Sequence, residues 1–271
     1  MSQAVFDSRP IGIFDSGVGG LTVLRTLARR FPRESFIYLG DTARVPYGAK
    51  SPRTVERYTL QVGDALGARS VKSIVAACNT ASALGLGALR AHQPLPVQGV
   101  IQPGCRAAQL ATKNRRVGVI GTRSTISSGA YRDTLYLMDP TIEVFDIPCP
   151  LFVPLAEEGW THHEATRLIV QESLTPLMES GLDTLVLGCT HYPVLKEMIA
   201  EVMGPEVTLV DSAEAVADEL AMRLSDLIHP APDDHLQRIE YMVTDEAERF
   251  AHVARNFLLD IPLNQVEMVD L

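Results

Sequence analysis

Eight apolar runs of strand length punctuate the chain at 11–14, 35–40, 73–78, 96–101, 117–121, 142–147, 184–189 and 207–211. Their hydrophobicity is continuous, not alternating, which is the pattern of strands covered on both faces. Helical patterns separate them, so the order predicts parallel βαβ units and an α/β fold. Two helices carry start signals. Ser51 and Pro52 open the segment 51–69 with a cap and a first-turn proline, and Thr161 with Glu164 forms a T-x-x-E capping box ahead of RLIVQESL.

The chain also repeats itself. IGIFDS (11–16) resembles VGVIGT (117–122), and FIYLGDTARVP (36–46) occupies the place of VFDIPCPLFVP (144–154). IVAACNTAS (74–82) resembles LVLGCTHYP (185–193), and the segment 96–110 lines up without gaps on 206–220. The offsets fall near 106–111 residues and keep their order, which predicts two βα-rich, parallel-sheet domains. A helix over 103–112 carries the chain into the second domain and one over 212–227 carries it back. The segment 239–258 then adds a strand and an amphipathic helix to the first. The expected boundaries are 1–99 with 211–271 for the first domain and 100–210 for the second, with HPAPDDH (229–235) as a surface loop.

Composition narrows the partners. The 271 residues carry 24 Lys+Arg against 33 Asp+Glu, a formal charge of −9, which disfavours non-specific binding to nucleic acid or an anionic membrane. No apolar stretch approaches the length that spans a bilayer, and MSQAVFDSRP lacks the apolar core of a signal peptide, so a cytoplasmic protein is expected. Four cysteines, Cys78, Cys105, Cys149 and Cys189, are scattered without a CxxC pair, and structural disulfides or a zinc knuckle are not expected.

In an open parallel sheet, ligands bind beyond the carboxyl ends of the strands. Cys78-Asn79-Thr80 and Cys189-Thr190-His191 stand there in equivalent repeat positions, each cysteine just before a helix. Backbone N–H groups and the helix dipole favour thiolate at such a place, so the pair reads as two facing, reactive thiols. Cys105 and Cys149 have no such partner and read as packing. Asp15-Ser16-Gly17-Val18-Gly19-Gly20 ends the first strand in a turn able to offer N–H donors to a carboxylate or phosphate, but it lacks both the P-loop lysine and the third glycine of a dinucleotide fingerprint. His191 adjoins Cys189 and is placed either to donate to a substrate carboxylate or to tune the thiol, and Glu157 follows a proline-fixed loop. His162-His163-Glu164 lacks the spacing that stacks two metal ligands on a helix, so no metal site is expected.

The motifs D-S-G-V-G-G, G-D-T-A-R-V-P-Y-G, A-C-N-T-A, G-T-R-S-T, P-L-F-V-P-L-A-E and G-C-T-H-Y-P, in this order, resemble the bacterial glutamate racemases, within the amino-acid racemases that work without a cofactor. The likeness runs from Ile11 to about Leu258. It implies a pseudosymmetric enzyme of two parallel-sheet α/β domains with the active site in the cleft between them, often a homodimer, that converts L-glutamate to D-glutamate for peptidoglycan with no cofactor; the charge balance speaks against a nucleic-acid or membrane partner. Carried onto this chain, it makes Cys78 and Cys189 the acid–base pair, with Asp15 assisting the first and Glu157 and His191 the second. Ser16, Asn79, Thr80 and Thr190 would hold the α-amino and α-carboxylate groups, and Asp15 and His191 would also contact substrate. Pro46, Tyr47 and Gly48 with Thr122 and Thr125 would hold the side-chain carboxylate, and Asp41 lies near the motif without an assigned role. Val45, Ser124 and Ala156 depart from the family pattern, where cysteine, alanine and valine are common.

The chemistry suits the repeat. Inverting an α-carbon removes a proton from one face and returns one to the other, and one cysteine per half supplies a base on each side. Three other readings use the same residues. A racemase of another acidic amino acid such as aspartate keeps the fold, a two-lobed binding protein dispenses with turnover, and a thiol–disulfide redox protein would bond Cys78 to Cys189.

Overall fold

The computed structural model describes residues 6–226 and 228–271. Among these, ten strands form two sheets in which every pairing is parallel. The first contains β1 (Ile11–Asp15), β2 (Phe36–Gly40), β3 (Ser73–Ala76), β4 (Val97–Gly99), β9 (Ile239–Val243) and β10 (Val266–Met268), in the order β10-β9-β2-β1-β3-β4. The second contains β5 (Arg116–Gly121), β6 (Glu143–Pro148), β7 (Thr184–Gly188) and β8 (Thr208–Asp211), in the order β6-β5-β7-β8. The sequence repeat is therefore a repeat of topology, since β2-β1-β3-β4 and β6-β5-β7-β8 follow the same path. Central strands β1, β3 and β7 are buried along their whole length, as their uninterrupted apolar runs require.

The helices flank the sheets by burying one stripe each. Helix Leu21–Arg30 turns Leu21, Leu24 and Leu27 inward and places Arg29 and Arg30 in its last turn, where the dipole favours cations. Helices Ile101–Ala111 and Ser212–Asp226, which carry the chain between the sheets, pack on each other, and the second also lies against Leu21–Arg30. The expected second crossing reached residue 227, which lies outside the described residues. No described helix is long and apolar enough to cross a membrane.

Two local expectations are corrected. Ser51 precedes helix Pro52–Ala68 as its N-cap residue, but its hydroxyl donates to Thr54 Oγ1 at 3.0 Å and does not cap a backbone N–H. The T-x-x-E box does not form either. Trp160 stacks on His163 with ring centroids 4.5 Å apart, and His163 becomes the N-cap of helix Glu164–Met178, its Nδ1 accepting from Ala165 N at 3.1 Å. Glu164 then starts the helix and pairs with Arg167. Strand β10, three residues at the edge of the first sheet beside β9, is an addition the sequence pattern did not signal.

Candidate active site

Strands β3 and β7 both stop just short of a cysteine. Cys78 is the N-cap of helix Asn79–Leu84 and its sulfur accepts from Ala81 N at 3.5 Å. Its S–H is directed at Ser16 Oγ, 3.8 Å away. The expectation that the helix start would favour thiolate fails here. Burial raises the thiol first, the Asp15 carboxylate adds to it, and these outweigh the N–H of Ala81 and the Ser16 hydroxyl, so Cys78 is pushed up to about 12.

Cys189 has different company. His191 Nδ1 lies 3.8 Å from its sulfur, and His191 Nε2 lies 2.9 Å from Glu157 Oε1. Burial works against a charged imidazole, but the hydrogen bonds and charges of Cys189 and Glu157 prevail and raise His191 from 6.5 to about 10. Burial likewise opposes the Glu157 carboxylate, yet His191 holds it below the usual range. The Phe257 ring stands edge-on to the imidazole at 5.4 Å and closes its outer side. The arrangement is an imidazolium held between the Cys189 sulfur and the Glu157 carboxylate.

Asp15, at the end of β1, links the two halves. One carboxylate oxygen accepts from Gly17 N at 3.0 Å and the other from the Thr190 hydroxyl at 3.3 Å. Burial raises its pKa against the His191 charge and these donors. The glycines of the following turn make the approach possible. An added Cβ on Gly19 would lie 2.2 Å from Thr190 Oγ1 and 2.5 Å from His191 Nδ1. Thr22 Oγ1 adds a bond to Thr190 O at 3.1 Å, and Tyr38 OH holds Gly17 O at 2.8 Å.

A second cluster lies beside Cys78. The hydroxyls of Thr80, Thr122 and Thr125 form a triangle with edges of 2.9–3.0 Å, Thr80 from the first half and the other two from the second. Asn79 accepts from Tyr131 OH through its side-chain oxygen. The Pro46-Tyr47-Gly48 turn stands opposite Thr122, so close that a Cβ on Gly48 would fall 2.5 Å from Thr122 Cβ. Pro46 is exposed, whereas Tyr47 is buried and donates its hydroxyl to Asp41. Asp41 also accepts from Arg44 Nε at 2.7 Å and Thr244 Oγ1 at 3.0 Å, so it anchors the turn from beneath.

The structure thus brings Asp15, Thr190, His191, Glu157 and Cys189 into one linked group. Ser16 joins Cys78, and Thr80, Thr122, Thr125 and Gly48 form a neighbouring one. Tyr131, Arg44, Thr244 and Phe257 belong to the site's support and were not singled out from sequence. Nothing in the pattern around Tyr131, a buried apolar position on helix Ala130–Met138, signals that its hydroxyl meets Asn79. Cys105 and Cys149 are buried in the packing, as expected. A cavity of about 120 Å³ bordered by Gly17, Val45, Glu157 and Arg249 opens beside this region.

Two lobes of one topology, meeting at strand ends that carry thiols and their proton-holding neighbours, define a two-lobed α/β enzyme. The chain belongs to the Asp/Glu/Hydantoin racemase family, whose model matches residues 11–220. It is 51% identical over 252 residues to a glutamate racemase of Geobacter metallireducens, covering 92% of this chain and 93% of that one. Among solved structures it resembles glutamate racemase isoform RacE1 from Bacillus anthracis, with a TM-score of 0.92 and 38% identity over 97% of this chain and 98% of that chain. It also resembles the Francisella tularensis glutamate racemase in complex with D-glutamate, with a TM-score of 0.90 and 36% identity over 98% of each.

Proposed function

We propose that this protein interconverts L- and D-glutamate by a two-base mechanism with Cys78 and Cys189 as the proton carriers. The observation that carries the reading is the equivalence of the two cysteines at the ends of β3 and β7, one beside Ser16 and the other beside the linked His191 and Glu157. In one direction the Cys189 thiolate takes the α-proton and becomes a thiol, while the Cys78 thiol gives its proton to the opposite face and becomes a thiolate. The reverse reaction exchanges the roles, and no proton is gained or lost overall.

The α-hydrogen of an amino acid is a very weak acid, so the surroundings must stabilise charge as it develops. Ser16, Asn79, Thr80 and Thr190 are the donors for the α-amino and α-carboxylate groups. The Pro46-Tyr47-Gly48 turn, with Thr122 and Thr125, receives the side-chain carboxylate, and Asp41 keeps that turn in place. Asp15 assists at the seam, and His191 with Glu157 tunes Cys189. Glutamate is preferred to aspartate because the relatives of highest identity named above are glutamate racemases. The moving bodies are residues 1–99 with 211–271 and residues 100–210. The family resemblance further supports a cytoplasmic homodimer that supplies D-glutamate for peptidoglycan.

The test is a circular-dichroism assay on the purified protein with L-glutamate and L-aspartate, without added cofactor, alongside Cys78→Ala and Cys189→Ala. Loss of the glutamate signal by wild type, and by neither variant, supports the reading. Turnover retained by either variant overturns the two-thiol mechanism. Glutamate binding without turnover leaves a binding protein, and faster turnover of aspartate changes the substrate.

A further inference from the structure

The reacting groups are closed off from solvent. Cys78 is 5% exposed, Cys189 6%, His191 6% and Asp15 1%. A substrate reaches both sulfurs only if the seam between the lobes parts, so contacts that cross the seam set how often it is open. Several of the hydrogen bonds across it beside the cysteines are made by residues that the proposed function gives to the substrate, such as Thr80, Thr122, Thr125 and Thr190. These exchange partners when the substrate arrives.

Ser124 is different. It lies in the short helix Arg123–Ser127, which Thr122 caps at the end of β5, and is therefore fixed to the second lobe. Its hydroxyl faces the Gly48 carbonyl at 2.9 Å and the Lys50 carbonyl at 3.1 Å, both on the turn that Tyr47 and Asp41 tie to the first lobe. One hydroxyl proton is shared between two peptide oxygens, and none of the proposed proton carriers is touched. We infer that Ser124 is a positioning residue that latches the seam shut, acting on the open–closed balance of the lobes and not on the reacting atoms.

A single neutral hydrogen bond is weak enough to break in every cycle and strong enough to bias the balance about three- to tenfold. By holding the Gly48 and Lys50 carbonyls, it also fixes the orientation of the turn proposed to receive the distal carboxylate. The kinetic part of this inference rests on the proposed function, but the motion itself is readable without turnover.

The experiment is Ser124→Ala, read in two ways. The first is the rate of alkylation of each cysteine by iodoacetamide in the substrate-free protein, followed by mass spectrometry of the peptides. Sites that react only when the seam is open label in proportion to the open population. The latch predicts that Cys78 and Cys189 label about three- to tenfold faster in the variant, while Cys105 and Cys149, buried in the cores, keep their wild-type rates. The second is steady-state kinetics, with KM for glutamate raised by a similar factor and kcat changed less than twofold.

Unchanged labelling of Cys78 and Cys189 overturns the latch, and so does equal acceleration at all four cysteines, which would show a fold merely loosened. A fall in kcat at constant KM also overturns it, because it would place Ser124 in the chemistry. If wild type does not turn over glutamate, the proposed function fails while the labelling still decides the latch.

Discussion

The Thr190 hydroxyl, from the loop after β7, donates to the Asp15 carboxylate at the end of β1, so the two halves of the repeat are hydrogen-bonded at their strand ends. That contact needs bare backbone beside it, which Gly19 provides. Gly19→Ala puts a methyl group into the Thr190 and His191 side chains. The expected outcome is a fall in kcat/KM of about a hundredfold, in line with the cost of misplacing catalytic groups by an ångström. The far-ultraviolet circular dichroism should stay that of wild type. Activity within threefold of wild type would show that the seam tolerates the extra carbon.

The His191–Glu157 pair predicts a pH dependence. The folded pKa of about 10 exceeds the 6.5 of an ordinary histidine, so the bound proton stabilises the fold fully below about 6.5. That contribution declines as pH rises and is gone above about 10. Activity that depends on the imidazolium should fall with the same upper limb. Glu157→Gln removes one of the two groups that hold the proton and should move the alkaline limb to lower pH. A pH–rate profile measures it, and a limb that stays in place in the variant contradicts the assignment.

Deuterium oxide separates two thiols from one. With each sulfur serving one face, product formed early from L-glutamate should carry deuterium at the α-carbon while the remaining L-glutamate carries almost none. Mass spectrometry after chiral separation reads the two pools. Equal early labelling in both would mean a single base exchanging freely with solvent.

Asp41 is buried beneath the 46–48 turn with Arg44, Tyr47 and Thr244 directed at it. Tyr47→Phe removes one of these bonds and leaves the ring in place. A loss of about 1–2 kcal/mol in denaturant unfolding is expected. A rise in KM larger than the fall in kcat should accompany it if the turn binds substrate and takes no part in proton transfer.

Away from the site, Lys72 Nζ lies 2.6 Å from Glu34 Oε2, and both side chains are almost fully buried. Lys72 also donates to the carbonyls of Asp7 and His229, and Glu34 accepts from Ala231 N, so the pair fastens the segments around 7 and 229–231 to the first sheet. Lys72→Met strands a buried carboxylate and should cost about 3–5 kcal/mol. Adding Glu34→Gln, which keeps the acceptor for Ala231, should recover most of that. Thermal unfolding of the single and double variants checks both.

The large features were legible in the sequence because they arise from many residues acting alike. Eight apolar runs became eight strands, and the half-chain repeat became two sheets of the same strand path. What was not legible depends on one side chain meeting another from a distant segment. His163 took the cap from Thr161 because Trp160 stacks on it. Cys78 stands at a helix start, as read, but burial and Asp15 override the dipole. Strand β10 has only three residues and lies on an edge, too short to build a hydrophobic signal. Ser124 looks like any polar residue at the start of a helix until Gly48 is placed over Thr122.

The duplicated fold presents two thiols whose neighbourhoods are unlike: serine and aspartate for one, histidine and glutamate for the other. Mirror-image amino acids have identical free energies, so the equilibrium constant of a racemisation is one. The ratio kcat/KM must then be the same for both enantiomers, however lopsided the apparatus. Unequal surroundings can only trade affinity for turnover between the two hands, so the hand bound more tightly must be converted more slowly at saturation.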